Sequence, residues 1–224
     1  MSPVPPQSPS SSSDQRLPLR VRKKLRTRQA LIDTALRLFT EQGFDGTTLD
    51  QLCDAVEVSK RTFFRTFTSK EDVAMAPTQD MWAAFLDDLE TRDPGGGPVA
   101  DMLRDALLAA IRAMTDEGWA ERVRLSRRLA AETPSMDAHG LHFCDRTTRA
   151  ALSTLHRRLD LADPADLRPR LALDLLVAAF HCALERWAAT PGHPTRDDLA
   201  DRLREACAAV PGSLTLSAEL RAEG

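Results

Sequence analysis

The segment Thr48-Leu49-Asp50-Gln51-Leu52-Cys53-Asp54-Ala55-Val56-Glu57-Val58-Ser59-Lys60-Arg61-Thr62-Phe63-Phe64-Arg65-Thr66-Phe67-Thr68-Ser69-Lys70 decides how this chain reads. Its spacing predicts two short helices joined by a tight turn. Thr48 can cap the first, and Gln51, three residues on, completes a box in which two helix-end groups satisfy each other. Leu49, Leu52, Cys53 and Val56 then form one apolar stripe at helical spacing. The second helix starts with Ser59 as its cap. Phe63 and Phe67 share a face that should be buried, while Lys60, Arg61, Phe64 and Arg65 point away from it. The major groove of B-DNA admits one helix and presents acceptors to Arg and Lys, so this pair has the form of a groove reader. The alternative is an ordinary amphipathic pair with a solvated charged side.

Upstream, residues 27–42 predict a third helix, with Leu31, Ala35, Leu38 and Phe39 on a core-facing stripe. Gly43 ends it, because glycine alone takes the left-handed cap conformation cheaply. The approach to this helix is basic: Arg20, Arg22, Lys23, Lys24, Arg26 and Arg28. Residues 16–70 hold 12 Lys and Arg against 6 Asp and Glu, whereas residues 71–224 hold 18 against 26. The whole-chain charge of −3 therefore hides a basic head on an acidic body, the electrostatic footprint of a polyanion binder.

With these residues in view, the sequence resembles the TetR family of bacterial transcriptional regulators. The resemblance is carried by Arg28, Leu31, Ile32, Ala35, Leu38, Phe39, Gly43 and Phe44, then by Thr47-Thr48-Leu49, Leu52-Cys53 and Val58-Ser59-Lys60-Arg61-Thr62-Phe63-Phe64-Arg65, and finally by Phe67 and Ser69-Lys70-Glu71. It looks most like the actinobacterial branch, in which Thr-Phe-Phe-Arg replaces the commoner Thr-Leu-Tyr. Beyond the head, the likeness is only that both are helical. Glu57 departs from the pattern, standing where the family usually has Gly at a left-handed position. A non-Gly residue there costs on the order of 1 kcal/mol. Phe64 replaces the usual Tyr and loses its hydroxyl, keeping contact with a sugar or a thymine methyl.

Chemistry and position together make Lys60, Arg61, Arg65 and Thr66 the candidates for base edges, Arg on guanine being the leading pairing. The resemblance implies phosphate contacts for Thr48, Thr62 and Lys70, with Phe64 beside them. Arg26, Thr27 and Arg28 belong to a stretch, Arg20 to Arg28, that reads as a flexible basic arm along the backbone or in a minor groove, or else as a solvated charge run.

Residues 1–19 are Pro- and Ser-rich, without the apolar core of a signal peptide, and are expected to be disordered. The most apolar internal stretch, Leu171 to Leu184, is too short to span a bilayer. Scattered Cys53, Cys144, Cys182 and Cys207 fit a reducing cytoplasm. The expected division is a tail (1–19), a helix-turn-helix head (20–68), a helical body (69–210) and a second tail (211–224). Helices are expected over 69–91, 99–115, 119–132, 136–159, 166–189 and 195–209, with Pro77 kinking or splitting the first. No alternating β-branched run is present, so the fold class is all-α.

Residues 171–187 are apolar on much of a helical circumference, which predicts a helix covered on both sides. The resemblance implies a four-helix dimer interface, for which Leu175, Ala178, Ala179 and Ala183 with Leu199, Leu203 and Ala206 are the candidates. Met102, Trp119, Met136, His142, Phe143, Arg146, Phe180 and His181 are candidates for the wall of an apolar effector cavity, or for ordinary core. His139 and His142 share a face, but Cys144 lies off it and no carboxylate completes a metal set, so no cofactor or metal is expected. Paired catalytic carboxylates, a nucleophile elbow and a phosphate loop are also missing, so an enzyme is not expected. The reading is a homodimeric repressor of palindromic double-stranded DNA, released by a small hydrophobic effector. Its alternative is a helical lipid- or acyl-carrier-type binding protein whose DNA-binding head has decayed.

Overall fold

The computed structural model of the 224-residue chain describes residues 18–161, 163, 165–193 and 195–218. The expected disordered tail lies outside the described residues as far as residue 17, as do Ala162, Pro164 and Pro194 among the expected helix breakers and residues 219–224 at the other end. Every regular element among the described residues is helical. In order they are α1 (Leu19–Gln42), α2 (Leu49–Ala55), α3 (Lys60–Phe64), α4 (Lys70–Thr91), α5 (Val99–Ala113), α6 (Trp119–Glu132), α7 (Pro134–Arg158), α8 (Arg168–Ala188) and α9 (Arg196–Ser213). The chain divides into two compact units at Val73 and Ala74.

In the first unit, α1 packs on α2 and α2 on α3. Leu31, Ile32, Ala35, Leu36 and Phe39 from α1 meet Leu52 and Phe63, all at most 2% exposed. The Phe39 and Phe44 rings tilt against each other at 4.8 Å, and those of Phe63 and Phe67 at 5.8 Å. Gly43 ends α1 at φ 81 with an extended ψ of 152, a positive φ that an L side chain resists. Buried Thr47 then donates its hydroxyl to the Gly43 carbonyl at 2.9 Å, fixing the path into α2.

Two expectations change here. Helix α1 begins at Leu19, eight residues before the expected start at Thr27, so the basic stretch is helical and not a flexible arm. Arg, Lys and Leu are strong helix formers, and their intrinsic preference extends the helix beyond its core-facing stripe. Helix α4 is continuous through Pro77, so of the two expected outcomes the split does not occur.

In the second unit, α8 is the central element and packs on α5, α7 and α9. Its Leu173, Phe180, Ala183 and Trp187 are at most 2% exposed. The Trp187 indole donates to the Thr195 carbonyl at 2.8 Å, tying the end of α8 to the cap of α9. Thr195 and Asp198 form a reciprocal capping box there. Trp119 donates to the Pro77 carbonyl at 2.9 Å, so the first residue of α6 is pinned to α4. Helix α9 runs through Pro211 to Ser213, past the expected end at 209.

Candidate functional site

The first unit presents α3 on a fixed base. Thr48 accepts from the Gln51 backbone while Gln51 accepts from Thr48, closing the capping box of α2. Glu57 takes φ 55, the left-handed turn that links α2 to α3. Ser59 then caps α3 by accepting from the Thr62 amide at 3.2 Å. Phe63 is fully buried and Phe67 nearly so, while Phe64 is 53% exposed. Anchoring and presentation are thus divided between alternate faces of one short helix.

The cations differ in how committed they are. The guanidinium groups of Arg61 and Arg65 are exposed and have no ion pair or hydrogen bond to a described residue. Lys60 is also exposed and pairs with Asp50 at 2.8 Å. That contact, its hydrogen bond first, raises the Lys60 pKa above its usual value. Thr66 donates its hydroxyl back to the Thr62 carbonyl at 3.1 Å, which leaves it an acceptor toward a base. The Thr62 hydroxyl lies 3.1 Å from that of Ser59.

Lys70 is largely spent inside the unit. Its ammonium donates to the carbonyls of Phe44 at 2.6 Å and Thr47 at 2.8 Å, and sits 4.5 Å from the Phe44 ring centre. Two of its three N–H groups therefore hold the loop before α2, leaving one for a phosphate. Arg28 lies 5.2 Å over the Phe67 ring. Arg26 is exposed and Thr27 half-buried, both on α1.

In the second unit, α4, α6, α7 and α8 enclose a cavity of about 330 Å³. Of the expected wall residues, Met136, Phe143, Phe180 and His181 line it. Met102 and Trp119 do not, being packed in the core at 7% and 5% exposure. His142 and Arg146 are exposed on α7, one helical step away from the lining residues Phe143 and Thr147. The sequence reading missed Trp82 and Phe85 on α4, Ser126 and Arg127 on α6, and Thr147 on α7. One signal was available: Met136, Gly140, Phe143, Thr147 and Ala151 follow helical spacing, so a glycine and a threonine interrupt an otherwise apolar stripe. Gly140 also brings α7 close to α4, since a Cβ there would stand 3.0 Å from the Met75 methyl.

Trp82 meets Phe180 edge-on at 5.2 Å and Phe85 at 5.3 Å, which gives the cavity a rigid aromatic wall. At the rim, Arg127 pairs with Glu185 at 3.0 Å. Loss of solvent around the His181 ring, and then the charge of Arg127, push its pKa below the usual value, so the imidazole is neutral at pH 7.

The expected interface residues fall into two sets. Ala179, Ala183, Leu199 and Leu203 are buried inside the second unit, because α8 and α9 turn those faces toward each other and toward α5. Ala206 is half-buried. Leu175 and Ala178 are exposed and continue an outer stripe of Leu171 and Cys182 at helical spacing along α8.

Comparison with known proteins agrees with this division. The model described as bacterial regulatory proteins, tetR family, matches residues 31–76, and that of the MftR C-terminal domain matches residues 97–211. The chain is 37% identical over 186 residues to the HTH-type transcriptional regulator TcmR of Streptomyces glaucescens, covering 80% of this chain and 81% of that one. It is 29% identical over 171 residues to MftR of Mycobacterium tuberculosis, named for regulation of mycofactocin biosynthesis, covering 74% and 82%. A shorter match, 33% over 57 residues, is to IcaR of Staphylococcus epidermidis, named as a negative transcriptional regulator, covering 25% and 31%. No helix among the described residues is long and apolar enough to cross a membrane. The chain belongs to the TetR family of bacterial transcriptional regulators.

Proposed function

We propose that two copies of this chain bind a two-fold symmetric operator and that a small hydrophobic molecule in the cavity releases it. The observation that carries this is the exposed face of α3, where Arg61 and Arg65 have no partner among the described residues while Phe63 and Phe67 are buried beneath them. Arg61 and Arg65 read base edges, each bidentate contact with guanine supplying about 1–3 kcal/mol of discrimination. Lys60 joins them by exchanging solvent-exposed Asp50 for DNA, and Thr66 accepts from a base amine. Thr48, Thr62, Phe64, Arg26, Thr27 and Arg28 line the backbone, with Lys70 contributing its remaining N–H. The Thr62-Phe63-Phe64-Arg65 segment is the actinobacterial form of this reading helix.

The second copy docks on the outer stripe of α8. Leu171 is 55% exposed and Leu175 36%, and the small side chains of Ala178 and Cys182 beside them permit close helix approach. A dimer supplies two α3 helices, and a spacing of roughly 34–36 Å between them fits successive major grooves. The body is a repressor's ligand domain: an effector that prefers the state incompetent for DNA shifts the population toward it, and DNA weakens effector binding by the same factor.

Pro77 is the hinge in this proposal. It removes the N–H that would bond the Val73 carbonyl, and Val73 is the last residue of the first unit. Replacement of Pro77 by Ala should blunt the effector response; an unchanged response removes the hinge. The proposal as a whole is tested by selecting bound duplexes from a random pool with the purified chain. A two-fold symmetric site bound by two chains is expected. Asymmetric sites, or retention of random duplex at physiological salt without preference, would refute it.

A further inference from the structure

Donors on three of the cavity's helices have no acceptor among the described residues. Trp82, Ser126 and Thr147 line the cavity and are 7%, 4% and 7% exposed, yet none of their side chains hydrogen-bonds to a described residue. Arg22 Nε is the sealed and unpaired side-chain polar atom among the described residues, so these three donors stay accessible, and a molecule in the cavity can accept from them in place of water. An indole N–H can only donate, and each hydroxyl has one proton to give.

The charges around the cavity narrow the choice further. Arg127 is the one Lys or Arg among the lining residues, and Glu185 already neutralises it at 3.0 Å. Asp137 is exposed in the first turn of α7, where the positive end of the helix offsets it. An anion drawn inside would have to displace Glu185 from Arg127 before it found a cation, and burying a charge without a partner is costly. A cation would meet donors where it needs acceptors. The lining runs along α8 from Leu173 to Glu185, about 18 Å of helix, so the space is long.

We infer that the cavity takes an uncharged, elongated, mostly apolar molecule whose carbonyl, ester or ether oxygens accept from Trp82, Ser126 and Thr147. This rests on the cavity being the effector site, but its chemistry is tested without DNA. The probes are three chains of equal length that differ in their polar group: 2-dodecanone, laurate and dodecylammonium. They are titrated calorimetrically into the full chain at neutral pH.

The ketone should bind more than about tenfold tighter than either ion, since only the ions must be stripped of water without a partner. Ser126→Ala and Thr147→Val should each weaken the ketone by about 2- to 10-fold, the worth of one neutral hydrogen bond. Neither should lower the thermal midpoint of the free protein, because each removes a group with no protein bond to lose. Equal or tighter binding of laurate or dodecylammonium overturns the inference, as does absent ketone binding or ketone affinity untouched in both variants. If the ketone binds as stated but a selected operator stays bound at saturation, the release mechanism fails and the ligand chemistry stands.

Discussion

Hydroxyls around α3 and hydroxyls around the cavity are provided for on opposite terms. In the first unit, Thr48, Ser59, Thr62 and Thr66 are tied into caps and back-bonds of the chain itself. In the second, Ser126 and Thr147 line the cavity with no partner among the described residues. The first arrangement holds a short helix in one pose, so that in the proposed function its arginines meet DNA without further ordering. The second leaves polar capacity for the proposed ligand. A reader needs preorganisation, and a sensor needs an unmet demand.

The largest effect expected from breaking this comparison is in the anchor. Phe63→Ala should destabilise the chain by about 3–5 kcal/mol in denaturant unfolding, because a fully buried ring leaves a void. Phe180→Ala, equally buried but facing the cavity, should fall at or below the low end of that range, about 3 kcal/mol, since part of its surface already lacks packing partners. Equal losses would mean that the cavity is closed in solution. Lys70→Met comes next. It strands two loop carbonyls, and the loss should be about 1.5–3 kcal/mol in the same measurement.

The two capping boxes give a matched pair of smaller effects. Thr48→Ala and Thr195→Ala should each destabilise by about 1 kcal/mol, but only Thr48→Ala should also weaken operator binding in an anisotropy titration. The smallest effect is a pH slope. Asp198 is held below the ordinary carboxylate value of 3.8, first by the Thr195 backbone amide and then by its hydroxyl. Its folded pKa is depressed, so its stabilising share is fully present above that ordinary value and is lost as pH falls through the depressed one. In acid unfolding series, Asp198→Asn should flatten this part of the curve while leaving neutral-pH operator binding unchanged.

How much of this was legible depended on how local the signal was. The Thr48–Gln51 box, the Ser59 cap, the left-handed Glu57 and the Phe63/Phe67 anchor are set by residues within five of each other, so the sequence carried them directly. The start of α1 was misread because the basic stretch has no core-facing stripe, and helix preference acts there without burial. In the body, the difficulty was one of partners. Periodicity marked Ala179, Ala183, Leu199 and Leu203 as apolar, but only packing decides that they face α5 and each other rather than a second chain. Trp119 and Met102 fill core for the same reason, while Trp82 and Phe180 meet at the cavity. Whether an aromatic ring faces a void or a neighbour is a tertiary fact with no spacing of its own.

The central claim is that α3 reads bases through Arg61 and Arg65 while its phenylalanines hold it in place. The most direct test measures, at physiological salt, the affinity ratio between a selected operator and a scrambled duplex for the wild-type chain and for Arg61→Ala/Arg65→Ala. The account predicts that the double variant stays folded and loses about 2–6 kcal/mol of discrimination, one bidentate contact for each arginine. A folded double variant with an unchanged ratio would contradict it.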